Sequence, residues 1–396
     1  MPASPSTARA INDRLALRLL QSEGPLTAGQ LKELTGLSRP SVADLVERLT
    51  AQGLIEVVGE AGAQRRGPNA KLHGIVSGLA HLAALDVRTE GVTLTVADLV
   101  GAVLAEASAP IDDEEGTDPA VERAVALVER TAKEAGAERL HTVGIGAPGL
   151  IDPVTGELRD SSGLPEWHRR LVAALHERLP ARVLVENETN LAALAEQRDG
   201  AARDRDTFAL LWLGHGIGAA VVLDGVLRRG ASGGTGEIGF LPVPGTSGLP
   251  SATGCAGGFH SLAGSAAIAE LARAHGLVGP TAAPGEPAAA ALVREAVRAE
   301  PGTPAARFLD ALADRLVLGA ASVVAVLDPG CLVLGGEVGR AGGDRLATLV
   351  ATRLAAMSPL PTEVRASAFG GGAVLRGALL MARDGAQDDL FAPTDR

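Results

Sequence analysis

The chain has 396 residues, of which 46% are hydrophobic and 21% are charged, and its 36 basic and 47 acidic side chains give a net charge of −11. This composition is that of a folded globular protein and excludes a largely disordered, collagen-like or mucin-like chain. The acidic balance excludes a surface that coats nucleic acid all over, and six Phe, two Trp and no Tyr leave few rings for base stacking.

Cysteine content and hydropathy indicate the cellular compartment in which the protein is expected to work. Cys255 and Cys331 are too few for a disulfide framework or a four-thiolate zinc site, which points to a reducing environment. The N-terminus has no basic-then-apolar signal pattern, and the longest apolar run, 316–327, is shorter than the ~20 residues that span a bilayer. We expect a cytoplasmic protein without a membrane partner.

Apolar spacing and capping residues predict the first two helices. Ile11, Leu15 and Leu19 recur every four residues, so residues 11–21 are predicted to form an amphipathic helix. Residues 27–30, Thr-Ala-Gly-Gln, have the spacing of a capping box, which opens a second, short helix.

A third helix and a wing follow. Ser38 is predicted to cap this helix, and its buried stripe consists of Val42, Leu45, Val46 and Leu49. Residues 54–58 and 71–76 are strand candidates on either side of a Gly-rich basic loop at 61–69. Helix, turn and helix followed by strand, loop and strand predict a winged helix-turn-helix over residues 1–76.

This unit offers side chains suited to DNA. The candidate contacts are Ser38, Arg39 and Ser41 at the start of the third helix, Arg48 on its outer face, and Arg65 and Arg66 at the wing tip. The start of a recognition helix faces base edges, and arginines on a flexible tip suit a narrow minor groove. Residues 1–76 hold nine basic and seven acidic side chains, net +2, which leaves −13 for the rest. A winged helix used for protein contacts is the alternative.

From residue 77 to 396 the pattern changes to β-rich runs that alternate with helical ones. The predicted strands lie at 81–86, 92–98, 142–147, 182–187, 208–212, 219–223 and 332–336. Such alternation is typical of α/β lobes.

Five motifs in this part resemble those of the ROK family, whose name stands for repressor, open reading frame and kinase. They are GIGAPGLID (144–152), VENETNLAALAE (185–196), LGHGIGAAVVLDGVLRRG (213–230), GGTGEIGF (233–240) and LVLGGEVG (332–339). The winged helix, with LSRPSV and RRGP, resembles the N-terminal part of the family's repressor branch. The resemblance implies two actin-like (ribonuclease-H-like) lobes of the sugar-kinase type, with the sugar in the cleft between them.

The first phosphate loop of the family's kinases is degenerate in this chain. The kinases have an aspartate, two glycines and a threonine, whereas residues 86–90 are Asp-Val-Arg-Thr-Glu. Arg88 and Thr89 replace the glycines and block a close backbone approach to phosphate. Glu90 adds a carboxylate that repels phosphate.

The other kinase positions also differ. His215 stands in the second phosphate loop, 214–218, where the kinases usually have threonine. Glu188 occupies the position of the catalytic aspartate, one methylene longer, and a shift of about 1 Å in a positioned group costs on the order of a hundredfold in rate. We expect no ATP-dependent kinase activity, with Glu188 as a vestigial base.

The resemblance also implies what the chain binds besides DNA. Zinc-binding members use one histidine and three cysteines, and the matching positions here are Phe240, Ser251, Thr253 and Gly258. We therefore expect no structural zinc and no other cofactor. The sugar-site positions correspond to Asn187, Glu188, Glu237, Phe240 and His260. The resemblance implies a sugar or a sugar derivative as ligand, and Phe240 and His260, which differ from the usual residues, leave its identity open.

We interpret the sequence as a transcriptional regulator, with repression favoured, whose 77–396 domain dimerises and senses a sugar. A tetramer is the alternative assembly. Two further functions stay open: a sugar kinase with a fused DNA-binding module, and a regulator whose cleft no longer binds ligand.

Overall fold

The computed structural model describes residues 5–61, 70–111, 116–159, 165–279, 282 and 285–392. The N-terminal unit contains three helices and a three-stranded antiparallel sheet of order β1-β3-β2. Its elements are α1 (Pro5–Glu23), β1 (Leu26–Thr27), α2 (Ala28–Thr35), α3 (Arg39–Ala51), β2 (Ile55–Ala61) and β3 (Ala70–Ile75). This is the winged helix-turn-helix that the sequence predicts, with β1 as an additional short strand.

The caps of α2 and α3 explain where these helices begin. The Thr27 hydroxyl accepts from the Gln30 backbone N–H, and the Gln30 side chain accepts from the Thr27 N–H, which completes the predicted capping box. Gly36, at φ +69°, ends α2 in the left-handed conformation that glycine adopts without strain. The Ser38 hydroxyl then caps α3.

The apolar spacing predicts helix α1, but it does not mark the face that the helix buries. Ile11 and Leu15 are 58% and 39% exposed, and the helix buries Ala16, Leu17 and Leu20 instead. Apolar side chains lie on more than one face of α1, so its spacing alone does not decide which face the other helices cover.

The rest of the chain forms two lobes with the same strand pattern. The first sheet has the order β6-β5-β4-β7-β8 and the second β11-β10-β9-β12-β13, and in each a three-stranded antiparallel meander continues into two parallel strands. The first-lobe strands are β4 (His81–Arg88), β5 (Gly91–Asp98), β6 (Val103–Pro110), β7 (Leu140–Ala147) and β8 (Arg182–Asn187). The second-lobe strands are β9 (Phe208–Leu213), β10 (Ile217–Leu223), β11 (Val226–Leu227), β12 (Cys331–Gly335) and β13 (Glu363–Ala366).

Nine helices of the described ranges complete the lobes. They are α4 (Thr117–Glu134), α5 (Trp167–Arg178), α6 (Glu188–Asp199), α7 (His260–Ala263), α8 (Ser265–Ala274), α9 (Ala288–Ala296), α10 (Pro304–Leu327), α11 (Gly336–Met357) and α12 (Ala373–Leu390). Helices α4 and α5 pack on one face of the first sheet, and α8 to α11 pack on one face of the second. Helices α6 and α12 pack together on the remaining faces, α12 against β4 and β7 and α6 against β9 and β10.

Glycines permit the close packing of α12. A Cβ on Gly144 of β7 would lie 2.3 Å from the Ala378 carbonyl oxygen, and one on Gly377 would lie 2.0 Å from that of Leu191 in α6. Real Cβ atoms do not approach backbone oxygen so closely. Helix α12 therefore has a fixed position against both the first sheet and α6.

The predicted strands of both lobes are confirmed, with bounds shifted by a few residues. Strands β6, β11 and β13 were not predicted, because β6 is mostly exposed and rich in alanine and the other two are short. Across the described ranges, the helices all fall short of the length and apolar character needed to cross a membrane.

Helix α12 also contacts the winged helix. The Gln21 side-chain amide of α1 donates to the Asp384 carboxylate at 3.0 Å, and Arg14 forms an ion pair with Asp388. A 3₁₀ turn over Ser77–Leu79 connects β3 to β4. The C-terminal half of α12 thus packs against the N-terminal unit.

Candidate DNA-binding surface and effector cleft

The start of α3 presents a single unpaired guanidinium. The Ser38 hydroxyl accepts from the Ser41 N–H at 3.3 Å and lies 2.8 Å from the Ser41 hydroxyl, so the cap occupies both predicted serines. Arg39, the first helical residue, is exposed and has no side-chain partner among the described residues. Of the three predicted contacts here, Arg39 is the one whose side chain is available to a base edge.

Arg48 lies in a different environment. Its guanidinium donates to the Asp13 carboxylate of α1 at 2.6 and 3.3 Å, and the Asp13 side chain is only 18% exposed. The pairing raises the pKa of Arg48. Since this ion pair fastens α3 to α1, the geometry gives no support to the predicted DNA contact by Arg48.

The wing consists of β2 and β3, paired from Ile55 opposite Ile75 to Ala61 opposite Ala70. Arg65 and Arg66 belong to the segment 62–69 and lie outside the described residues. The two strands that carry this segment are those predicted. A role for its arginines stays a prediction.

The candidate effector cleft lies around the junction of β8 and α6. Asn187 caps α6, and its side-chain oxygen accepts from the N–H groups of Thr189 and Asn190. Its amide nitrogen donates to the Gly149 carbonyl at 3.0 Å and to the Glu188 carboxylate at 2.7 Å. The side chain of Asn187 is therefore fully hydrogen-bonded within the protein. To contact a ligand as predicted, it would have to replace one of these hydrogen bonds with a bond to the ligand.

Glu186, a second residue of the same motif, was not predicted as a site residue. Glu186 is 4% exposed, and its carboxylate accepts from the Asn187 N–H at 3.0 Å and from the Asn190 side chain at 2.9 Å. Arg229 of the second lobe donates to it at 2.5 Å. A buried carboxylate with three donors fixes the junction of the two lobes. Its place directly before Asn187, within the same motif, is the sequence feature that could have identified it.

Carboxyl groups from both lobes face the cleft. Burial raises the pKa of Glu188 to about 8, and the nearby negative charges of Glu237 and Asp86 add to this effect. Burial likewise raises the pKa of Glu237, and it raises that of Asp86 to about 6 against the lowering effect of Arg88. At neutral pH the Glu188 carboxyl is therefore largely protonated and can donate a hydrogen bond to a hydroxyl group.

Phe240 and His260 lie beside Glu237 in the second lobe. Phe240 ends the 3₁₀ turn that follows Glu237, and its ring is 39% exposed. His260 begins α7, packs within 3.7 Å of a Cβ placed on Gly239, and has its pKa lowered by burial. Asn187 and Glu188 are thus hydrogen-bonded neighbours, and the charge of Glu237 acts on Glu188. Phe240 and His260 lie near Glu237 through the 3₁₀ turn and Gly239, and the role of all five residues in ligand binding stays a prediction.

Charged side chains from both lobes meet in the region that matches the kinase phosphate loops. Arg88, at the end of β4, donates to Asp86 at 3.0 Å, to Glu337 of α11 at 2.6 Å and to the Gly371 carbonyl at 3.1 Å. His215 in the β9–β10 turn lies 3.6 Å from the Glu90 carboxylate. Three carboxylates lie at this place, and the donors of Arg88 are already hydrogen-bonded to protein groups. The residues present therefore do not fit a nucleoside triphosphate.

The zinc positions do not fit a metal either. Ser251, Thr253, Gly258 and Phe240 provide two hydroxyls, a glycine and a ring, without the thiolates or imidazoles that hold structural zinc. Backbone bridges between Pro242 and Gly258 and between Ser251 and Gly254 shape this loop, and the Cys255 thiol between them is partly buried and free.

Comparison with known proteins agrees with this architecture. The sequence pattern of the ROK family matches residues 82–385, and that of the MarR family matches residues 11–66. A ROK family transcriptional regulator, a homologue of the Escherichia coli Mlc protein, superposes with a TM-score of 0.76 at 22% identity, covering 97% of this chain and 98% of that chain. A ROK family glucokinase from Streptomyces griseus, in complex with glucose and AMPPNP, superposes with a TM-score of 0.64 at 24% identity, covering 77% and 100%.

Curated relatives include regulators and a kinase. The transcriptional dual regulator NagC of Escherichia coli is 28% identical over 243 residues, 59% of this chain and 58% of NagC. The xylose repressor of Bacillus subtilis is 24% identical over 59% of this chain and 61% of its own length, and the glucokinase of Thermotoga maritima is 33% identical over 50% and 65%. The matches thus span about three fifths of the curated regulators. Because the family pattern covers most of the sequence, from β4 to α12, this chain belongs to the ROK family.

Proposed function

We propose that this protein is a sugar-responsive transcriptional repressor and not a sugar kinase. The proposal rests on two features of one chain. The winged helix presents an exposed Arg39, and in the lobes Arg88 and its partners occupy the region that matches the kinase phosphate loops. The named functions of NagC and the xylose repressors support a regulatory role. The kinase alternative would need a phosphate site that these side chains occupy.

The DNA-binding form is proposed to be a dimer. Two winged helices related by two-fold symmetry would read a palindromic operator with half-sites one or two helical turns apart. Arg39 would contact base edges in the major groove, with help from the wing arginines, Arg65 and Arg66.

Helix α12 provides a physical connection between cleft and DNA-binding unit. Its N-terminus follows the turn Gly370–Gly372, where the Gly371 carbonyl accepts from Arg88. Its C-terminal half carries Asp384 and Asp388, which contact α1. A ligand that changes the lobe arrangement would thereby change the position of the winged helix, provided that it binds the two arrangements with different affinity.

The experiment that tests this function begins with selection of genomic fragments by the purified protein at near-physiological salt, since such affinities depend on salt. We expect a recurring palindrome and its release by one member of a panel of hexoses, pentoses and amino sugars. The absence of any enriched fragment would overturn the repressor, and hexose-dependent ATP turnover would establish the kinase.

The role of the cleft is tested by Glu237→Ala. The substitution removes a carboxyl that would accept hydrogen bonds from sugar hydroxyl groups. The sugar concentration needed for operator release should therefore rise by about tenfold or more, and operator affinity in the absence of sugar should stay unchanged. The exposed carboxyl of Glu295 on α9 offers a control, Glu295→Ala, in which both quantities stay the same. Unaltered release in Glu237→Ala would favour a regulator whose cleft does not sense the sugar.

The loop of residues 242–258 is proposed to fold without zinc, on the strength of its donor set. Elemental analysis of the purified protein should find zinc well below one equivalent per chain, and a chelator should leave the unfolding temperature unchanged. Stoichiometric zinc whose removal lowers that temperature would contradict this proposal.

A further inference from the structure

We propose that Arg88 is a built-in tie that joins the two lobes at the phosphate region, so that the cleft closes without a nucleotide and excludes phosphorylated ligands. The inference concerns the lobes alone and holds whether or not the protein represses transcription.

The contacts of Arg88 run between separate parts of the fold. Its Nε and one terminal nitrogen contact the Asp86 carboxylate of its own strand, at 3.0 and 2.9 Å. The other terminal nitrogen donates to Glu337 at 2.6 Å, and Glu337 lies at the start of α11, directly after strand β12 of the second lobe. The bond to the Gly371 carbonyl reaches the turn before α12. One side chain thus holds three elements.

The second lobe is shaped to receive this arginine. The Glu337 side chain is 12% exposed, because it lies between two glycines. A Cβ on Gly371 would come within 2.5 Å of one carboxylate oxygen, and a Cβ on Gly214 within 3.0 Å of the other. The carboxylate is therefore confined where it meets Arg88, and a partly desolvated pair of this kind is worth more than an exposed one.

A second contact crosses between the lobes beside the first. His215, in the β9–β10 turn of the second lobe, lies 3.6 Å from Glu90 in the β4–β5 turn of the first. Both turns match the phosphate loops of the kinases, and here the imidazole of His215 and the carboxylate of Glu90 approach one another across them.

The charge at this place selects against phosphate. Around this place the four carboxylates of Asp86, Glu90, Glu286 and Glu337 outnumber the three guanidinium groups of Arg88, Arg294 and Arg340, and both Arg294 and Arg340 line the cavity beside Glu337. The donors of Arg88 are already engaged, so a phosphate ester would have to displace a carboxylate and would meet the others at short range. An uncharged sugar in the adjacent part of the cleft meets no such barrier.

The tie is tested by a double-substitution cycle on the full chain, with wild type, Arg88→Gln, Glu337→Gln and both together. Each single substitution should lower the unfolding midpoint by about 3 °C and the double one by no more than the larger single effect. Hydrogen exchange should rise by about fivefold in the β4–β5 turn and also in 336–340 and 370–372. Arg353→Gln is the matched control, since its partners Asp310 and Asp314 lie in the second lobe with it.

Calorimetric titration with inorganic phosphate and with ATP tests the exclusion of phosphate. We expect no binding to wild type at millimolar concentrations and measurable binding to Glu337→Gln, in which one of the negative charges that repel phosphate is removed. Additive stability losses, exchange confined to the first lobe, or phosphate binding to wild type as strong as to Glu337→Gln would each overturn the tie. None of these results depends on an operator, so a failure here is distinct from a failure of the repressor.

Discussion

Replacement of Arg39 by alanine is expected to weaken binding to the selected operator by about tenfold to a hundredfold, the range for losing one arginine contact to a base. Arg39 begins α3, is exposed, and has no side-chain partner among the described residues, so its removal leaves the fold unchanged. Fluorescence anisotropy with the operator and with a scrambled duplex measures the effect. Specific affinity should fall more than non-specific affinity, and sequence preference should relax at one position of each half-site.

Two substitutions serve as controls for this result. Arg273→Ala removes the same charge from the exposed surface of α8, far along the chain from the winged helix, and should leave operator affinity within about twofold. Arg48→Ala removes the partner of Asp13 and should lower the stability of the winged helix by about 1 kcal/mol, with sequence preference retained. Equal losses on operator and scrambled duplex in Arg39→Ala would show a phosphate contact in place of base recognition.

Local signals explain why the winged helix and most strands were predictable. The capping box at Thr27 and Gln30 and the serine cap of α3 depend on residues three positions apart, and the structure contains both. Runs such as 208–213 are apolar throughout, because strand β9 is fully buried. The signals that mark these elements lie in neighbouring residues, so the sequence carries enough information to place them, although β9 itself pairs with the distant strand β12.

The roles of single charged side chains were not predictable in the same way. Arg48 looks like a DNA contact by helical position, whereas its partner Asp13 lies 35 residues earlier. Arg88 was expected to block phosphate, but its contact with Glu337 spans 249 residues. Glu186 receives Arg229 from the other lobe. Each of these depends on which distant elements the fold brings together, and a single sequence does not contain that pairing.

Residues distant in sequence also make the stability of the protein depend on pH. The pKa of Glu188 is raised to about 8 by burial and by the negative charges of Glu237 and Asp86, against 4.5 for a free glutamate. Between these two values the folded protein keeps a proton that the unfolded chain has lost, so the free energy of unfolding must fall as the pH rises through this window. For one carboxyl group, we expect a fall of roughly 1–2 kcal/mol between pH 6.5 and 8.

Glu188→Gln should remove that fall. The amide is uncharged at every pH, retains an oxygen for the bond from Asn187, and leaves the neighbouring carboxyls in place. Denaturant unfolding from pH 6.5 to 8.5 measures the slope, and Asp86, whose pKa is about 6, contributes little to it there because its folded and unfolded forms are both largely ionised. Glu295→Gln, on the exposed side of α9, should keep the wild-type slope. An unchanged slope in Glu188→Gln would place the Glu188 carboxyl in contact with water, and the protonated donor inferred for the cleft would then be wrong.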